Sequence, residues 1–237
     1  MKFFVSSFNV TRFLSLLIVT CGIAFNTTAQ AGYCKPQKLK SGCSPFAADY
    51  FVANPQTQQF QPMQVWYTDQ GTFYKKANGE LTSWHPKGKK LKFNRWITDS
   101  KLVIEYEASD LASLGQNVSW EQVRGLLASK KLDTLHQAET MQWNRHNARR
   151  LTNNDHSYQV ELIDQYQIPA RVIQNGQPTM VLARLYQTEE VVGWLAQLST
   201  FDRMDYADLG DSESDPRVAK LIHQGFVPGH ASHSHGH

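Results

Sequence analysis

Three consecutive apolar runs between Ser157 and Tyr186 constrain the fold more than any other stretch of the sequence. In the first two runs apolar and polar residues alternate, and this period of two places alternate side chains on one face of a sheet. Asn175-Gly176 separates the last two runs, and both residue types accept the positive φ that a tight hairpin turn requires. The stretch therefore predicts an antiparallel meander at the centre of the core.

Further strand patterns precede this meander, and helical patterns follow it. Alternating apolar residues predict several strands between residues 63 and 107, with one turn at Asn78-Gly79. After residue 187 apolar residues recur at helical spacing around Trp194, and Asp215-Pro216 predicts the start of a final helix. Strands first and helices last indicate an α+β fold, with a large curved antiparallel β-sheet that is meander or half-barrel-like and carries the C-terminal helices.

The N-terminal residues 1–31 have the three parts of a secretory signal peptide. Lys2 and Arg12 precede an apolar run that is short for a membrane span, and small residues ending at Ala31 match a cleavage site. Cleavage there predicts an exported protein without a transmembrane span, located in the periplasm of a Gram-negative-type cell. A lipoprotein modified at Cys21 and a retained N-terminal anchor are the alternatives.

The predicted mature chain is nearly neutral. Lys2 and Arg12 are the charged residues of the first 31, so cleavage leaves 22 basic and 21 acidic residues and a net charge of +1. This balance argues against nucleic acid as a partner and against a general attraction to anionic membranes.

The mature chain is expected to have three parts. Residues 32–60 are rich in Pro, Gly and Gln and predict an irregular arm, tied by a Cys34–Cys43 disulfide because export favours oxidised cysteines. Residues 61–228 contain no linker-like stretch and predict a single α+β domain. The remaining residues, 229–237, lack an apolar pattern and predict a disordered, His-rich tail.

The tail is a candidate site for a transition metal. Imidazole nitrogens suit Zn, Ni and Cu, and closely spaced histidines on a flexible segment can reach one ion. A tail with no selected ligand is the simpler interpretation. The predicted metal ligands are His230, His233, His235 and His237.

An acidic segment, residues 202–215, is the second candidate for chemistry. The simplest interpretation is that Asp215 caps the last helix while the other acids are solvated or paired with Arg203 and Arg217. The segment also suits a Ca²⁺ site or a carboxylate pair for acid–base catalysis, although its spacing does not fit an EF-hand.

Basic residues lie among aromatic residues between Trp84 and Trp96, a pattern that occurs in surfaces that bind single-stranded nucleic acid. In an exported protein a lipid headgroup or a polysaccharide is the more plausible partner. The favoured interpretation is a solvated hairpin with its aromatic residues in the core. The histidines outside the tail, among them His85, have no ligand spacing.

The leading hypothesis from the sequence is a non-enzymatic binding or carrier protein. A small apolar molecule or a lipid would occupy an apolar cavity between the curved sheet and the helices. A hydrolase-like enzyme using the acidic segment and a metal-handling accessory protein are the alternatives; no serine-hydrolase or zinc-protease motif favours an enzyme. The predicted ligand-binding residues are Tyr67, Ile104, Tyr106, Tyr158 and Trp194.

Overall fold

The computed structural model describes residues 45–187 and 190–223. Within these residues the chain forms one twelve-stranded sheet and five short α-helices. The strands are β1 (Phe46–Ala53), β2 (Phe60–Tyr67), β3 (Thr72–Lys76), β4 (Leu81–Lys87), β5 (Lys90–Ile97), β6 (Leu102–Tyr106), β7 (His136–Trp143), β8 (His146–Thr152), β9 (Tyr158–Ile163), β10 (Ile168–Gln174), β11 (Gln177–Gln187) and β12 (Asp202–Asp205). The helices are α1 (Ala108–Ser113), α2 (Trp120–Gly125), α3 (Ser129–Leu132), α4 (Glu190–Leu198) and α5 (Pro216–His223).

The sheet is open and mixed. Its strand order is β12-β6-β5-β4-β3-β2-β1-β11-β10-β9-β8-β7, so β12 and β7 are its edges. Strand β12 runs parallel to β6, whereas the other pairings in the described part of the chain are antiparallel. The prediction of a large sheet dominated by antiparallel pairing is confirmed, although the helices are few and short.

The meander predicted from the central apolar runs is present as β9, β10 and β11. These strands pair in sequence, and Asn175 and Gly176 form the turn between the last two, with φ of 51° and 76°. Asparagine and glycine tolerate this left-handed conformation better than other residues. The residue pair that predicted the hairpin therefore fixes its position.

Strand β1 corrects the prediction of irregular chain for the described part of residues 32–60, whereas residues 32–44 lie outside the described residues. Residues 46–53 are a strand at the middle of the sheet, between β2 and β11. Phe46, Ala48 and Tyr50 are buried on one face, and Ala47 is buried on the other. The prolines and polar residues around this short strand obscured its alternating pattern in the sequence.

The helices cover parts of both faces of the sheet. Face A, which carries Phe46, Val65 and Tyr67, receives α2, and its β6 end receives α1 and α5. Face B, which carries Trp66 and Phe73, receives α4. None of the helices in the described ranges combines the length and the apolar character that a membrane span requires.

Candidate functional site: a polar cavity under helix α4

A cavity of about 220 Å³ lies between face B and the C-terminal end of α4. Strands β3 to β6 and β12 supply the sheet side, and Leu195, Leu198 and Ser199 supply the helix side. The lining combines charged, polar and apolar side chains. Its residues are Gln70, Phe73, His85, Lys92, Asn94, Trp96, Glu105, Leu195, Leu198, Ser199 and Arg203.

Strand register brings the polar side chains together. Lys92 and Asn94 are two residues apart on β5, so they lie on the same face. Asn94 is opposite Glu105 of β6, and Lys92 is opposite His85 of β4. The parallel strand β12 adds Arg203 beside β6. Four strands thus contribute to one polar group.

His85 belongs to a hydrogen-bonded array with Ser83 and Trp96. Its Nδ1 lies 3.0 Å from the carbonyl oxygen of Gln70, which only accepts, so Nδ1 carries the proton. Nε2 then accepts from Oγ of Ser83 at 2.7 Å, and that Oγ accepts from Nε1 of Trp96 at 2.8 Å. Burial lowers the pKa of His85, outweighing the opposing effect of its bond to Gln70, so the imidazole is neutral at pH 7.

The absence of a side chain at Gly71 permits this arrangement. A Cβ at that position would lie 2.5 Å from the carbonyl oxygen of Trp84 and 2.7 Å from Nδ1 of His85. Both distances are shorter than van der Waals contact. Gly71 therefore holds open the space in which the His85 ring packs against Phe73, with ring centroids 5.4 Å apart.

Glu105 is held between two cations. Its Oε2 lies 2.6 Å from Nζ of Lys92, and its Oε1 accepts a hydrogen bond from Arg203. Burial alone would raise the pKa of Glu105, but the hydrogen bonds and charges of the two cations outweigh it and lower that pKa. The carboxylate is ionised at neutral pH. Nζ of Lys92 also lies 3.8 Å from Oε1 of Glu107, which pairs with Lys87, so Lys92 has two carboxylate partners.

Within this polar group, the side-chain amide of Asn94 lacks a hydrogen-bond partner for its oxygen. Its side chain is 3% exposed, and Oδ1 has no hydrogen-bond donor among the residues that the structure describes. Buried carbonyl oxygens are normally paired, and an unpaired one costs about 1–3 kcal/mol of stability. Asn94 lines the cavity, but Oδ1 itself is closed off from solvent, so a molecule in the cavity does not reach this oxygen unless the amide group rotates.

The arrangement suits binding better than covalent catalysis. Ser83 is fully buried, so a substrate cannot reach its hydroxyl even though His85 accepts the hydroxyl proton. Both nitrogens of His85 already have partners within the protein. A catalytic pair needs a nucleophile that faces the substrate, with its base positioned behind it.

The five residues predicted to bind a ligand lie in four different packing clusters. Ile104 and Tyr106 are together on face A at β6, near α5. Tyr67 stacks on Phe46 in the central cluster, and Tyr158 packs with β10 in another. Trp194 of α4 stacks on Trp66, with ring centroids 4.6 Å apart. None of the five lines the cavity under α4.

The acidic segment is part of the folded domain. Asp202 accepts a hydrogen bond from Arg217 at 2.6 Å, and Asp215 accepts bonds from the backbone and the guanidinium of the same arginine. Leu209, which is 2% exposed, anchors the segment in the cluster on face A. In the described part of the chain, no three His, Cys, Asp or Glu side chains converge as metal ligands would.

Several predictions concern residues outside those that the structure describes. They are the signal peptide over residues 1–31, lipidation of Cys21, the Cys34–Cys43 disulfide, and a metal site formed by the tail histidines His230, His233, His235 and His237.

Two residues that line the cavity stood out in the sequence, but other roles were predicted for them. Lys92 belonged to the hairpin interpreted as solvated, and His85 was one of the scattered histidines. The sequence feature that could have indicated the cavity is a polar residue at an inward-facing position of a strand. Asn94 lies two residues before Trp96, which is buried on the same face. The alternation that predicts strand β5 therefore also predicts a buried amide.

The sequence matches no protein-family model and no curated protein. A solved structure described as "Structure of PNGF-II in C2 space group" superposes with a TM-score of 0.39 at 7% sequence identity. The superposition covers 69% of this chain and 31% of that chain, so this chain spans less than a third of the length of that structure. A similarity at this level carries no argument about function.

Proposed function

We propose that this chain is an exported, non-enzymatic binding protein that holds a small molecule in the cavity under α4. One observation carries the proposal: polar side chains from four strands, among them Lys92, Glu105 and Arg203, converge on a cavity between the sheet and α4. Binding sites combine apolar walls with a few convergent polar groups. Phe73, Trp96 and Leu198 form such walls here.

The proposed site keeps the arrangement of the sequence-based hypothesis, which put the ligand between the sheet and the C-terminal helices. The proposed site differs in its lining, because charged and polar residues take part in it. A ligand-binding role for Tyr67, Ile104, Tyr106, Tyr158 and Trp194 stays a prediction. We also propose that the sheet curves in a half-barrel-like way, so that face B and α4 form a concave site.

The hydrolase-like alternative gains no support from the described carboxylates of the acidic segment. Asp202 and Asp215 bind Arg217, and Asp205 and Asp208 are exposed. Their pairing and exposure support the simplest interpretation, in which Asp215 caps the last helix and the other acids are solvated or paired with arginine.

Two neighbouring residues offer a matched test of the binding site. Ser199 and Thr200 are both exposed, and each hydroxyl donates to a carbonyl oxygen three residues earlier. Ser199 lines the cavity, whereas Thr200 is not part of its lining. Ser199→Phe should therefore fill the cavity, and Thr200→Phe should leave it open.

The experiment is native mass spectrometry of the untagged protein purified from the exported fraction. The wild type and Thr200→Phe should carry the same small molecule, and Ser199→Phe should lack it. Retention of that molecule by Ser199→Phe would place binding elsewhere and overturn the proposal. The same spectra test export, because a mature chain that begins at Gly32 is expected.

A second candidate function, metal handling, rests on the four histidines of the tail. We propose that these residues bind a divalent transition metal without contributing to folding. Binding should weaken as the pH falls through about 6.5, because protons compete for neutral imidazole. Calorimetric titration with Zn²⁺ should show a site in the full chain and none after deletion of residues 229–237; equal affinity in both would exclude the tail.

A further inference from the structure

We propose that face B carries a second binding site, beyond the edge of α4, which takes a carboxylate with an unbranched alkyl chain. The site is a groove of about 510 Å³ on strands β1, β2, β3 and β11, here named the β1 groove. It shares no lining residue with the cavity under α4, so the proposal does not depend on that cavity. The lining residues that carry the argument are Asp49, Phe51, Pro62, Gln64, Lys75 and Arg184.

Strand register places the β1 groove next to the part of face B that α4 covers. Helix α4 stacks on Trp66 of β2, and Gln64 and Pro62 precede Trp66 on the same face of that strand. Gln64 is opposite Asp49 of β1, and Pro62 is opposite Phe51. Face B therefore continues past the helix as a polar row followed by an apolar row, and the groove contains both.

The polar row is a hydrogen-bonded network around Asp49. Its Oδ1 accepts from Nε2 of Gln64 at 2.9 Å and from the hydroxyl of Tyr186 at 3.2 Å. Its Oδ2 lies 3.0 Å from Nε and 2.9 Å from Nη2 of Arg184. Each carboxylate oxygen thus has two donors, and the guanidinium balances the charge of the carboxylate. Lys75 of β3 is opposite Gln64, so it lies on the same face as this network.

Lys75 supplies the unbalanced charge of the groove. It is exposed and makes no ion pair within the described part of the chain. Its neighbour Lys76 pairs with Glu80 at 3.0 Å, and Glu80 also lies 3.9 Å from Arg95. The charged lining residues together with Glu80 carry one positive charge, because the carboxylate–guanidinium pair of β1 and β11 is neutral. A single positive charge matches a monoanion such as a carboxylate.

The apolar row supplies a surface for an alkyl chain. Phe51 is 47% exposed, and its cross-strand partner Pro62 is also exposed. Exposed apolar surface bounded by polar residues is a feature of ligand-binding grooves, and the volume of the β1 groove lies within the range of small-molecule sites. A chain that covers Phe51, with its anionic end at Lys75, is complementary to both rows.

Three probes test the site on the untagged, exported protein by isothermal titration calorimetry at pH 8. They are decanoate, 1-decanol, which lacks the charge, and butyrate, which lacks most of the chain. One decanoate should bind per chain, at least tenfold more tightly than butyrate and about two- to fivefold more tightly than 1-decanol. No binding of decanoate, or equally tight binding of either other probe, would overturn the proposal.

Phe51 and Phe60 offer a matched pair of variants. Both belong to the β1–β2 hairpin and are exposed to the same extent, 47% and 45%, but only Phe51 lines the groove. Phe51→Thr should weaken decanoate binding about three- to tenfold, and Phe60→Thr should leave it unchanged. An equal loss in both variants would mean that the hairpin adheres to alkyl chains without a defined site, and the proposal would be wrong.

A second pair of variants assigns the charge preference to Lys75. Lys89, in the turn before β5, is also exposed and makes no ion pair in the described ranges, but it lies outside the groove. Lys75→Gln should remove the preference for decanoate over 1-decanol, whereas Lys89→Gln should keep it. A preference that persists in Lys75→Gln would contradict the assigned role. The comparison of probes on the wild type stands even where a variant fails to fold.

Discussion

Oγ of Ser83 lies 2.7 Å from Nε2 of His85, and this contact is part of a chain with a fixed direction. The carbonyl oxygen of Gln70 holds the proton on Nδ1, so Nε2 is an acceptor and Ser83 is the donor. Trp96 then donates to Ser83. With His85 neutral, the hydrogen bonds among Gln70, His85, Ser83 and Trp96 can all form. Protonated His85 has a donor on both nitrogens, so Ser83 loses its acceptor.

The first prediction is that His85 makes the protein less stable at mildly acidic pH. Its folded-state pKa is lowered, below the value of about 6.5 for an unfolded chain. The unfolded state therefore binds the proton more readily, and stability falls as the pH drops from about 6.5 towards the folded-state pKa.

Denaturant unfolding of the wild type and His85→Gln between pH 8 and pH 5 measures this effect. The difference in unfolding free energy between them should shrink as the pH falls. His136→Gln, at an exposed position on the edge strand β7, is the control and should parallel the wild type. A constant difference between wild type and His85→Gln would contradict the prediction.

The second prediction concerns Gly71. Gly71→Ala should lower the midpoint of thermal unfolding by several degrees, because the new Cβ would lie 2.5 Å from a backbone carbonyl that cannot move alone. Gly210→Ala should have little effect, since a Cβ there would meet nothing within 4 Å. Equal midpoints for the two variants would show that the loop before β3 relaxes without strain.

The third prediction concerns the carboxylate between two cations. Glu105→Gln should reduce the unfolding free energy by about 1–2 kcal/mol at pH 7, a value discounted for the exposure of Arg203. Glu139→Gln is the control: Glu139 of the edge strand β7 is half exposed and pairs with Arg150, and its replacement should cost less than about 0.5 kcal/mol.

The stabilisation from Glu105 should also depend on pH in a defined direction. Its pKa is lowered in the folded state, so its contribution is present above the unfolded-state value of about 4.3 and is lost as the pH falls through the folded-state pKa. Denaturant unfolding at pH 7 and pH 3 should therefore give a larger Glu105→Gln effect at pH 7. An effect independent of pH would contradict the ion-pair explanation.

The fourth prediction concerns the anchoring of the acidic segment. Leu209→Ala should lower the unfolding free energy by about 2–4 kcal/mol, as expected for a buried leucine, because Leu209 packs with Leu221 and β6. Asp208→Ala, at the neighbouring exposed position, should change it by less than about 0.5 kcal/mol. Similar unfolding curves for both variants would show that the segment is not anchored through Leu209.

Local patterns in the sequence predicted the elements that depend on neighbouring residues. The central meander followed from alternation and from Asn175-Gly176, and the start of helix α5 followed from Asp215-Pro216. Strand β12 was missed because Asp202–Asp205 has no apolar alternation, and its position depends on pairing with β6, about 100 residues earlier.

Local sequence patterns could not predict the cavity, for a similar reason. Lys92, Glu105 and Arg203 come from three strands, and only the strand register brings their charges within contact distance. A single sequence shows the alternation within each strand, but not which strands are neighbours. The buried amide of Asn94 was the one local clue, since it occupies an inward position beside Trp96.

The position of β1 has a consequence for how the chain folds. Its first neighbour, β2, follows within a few residues, but its second neighbour, β11, ends at Gln187, so one edge of β1 stays uncovered until most of the domain has emerged. An uncovered edge can pair with another chain. Phe51 and Phe60, both exposed on this hairpin, add apolar surface there. Until β11 pairs with it, this edge of β1 is therefore open to pairing with a strand of a second molecule.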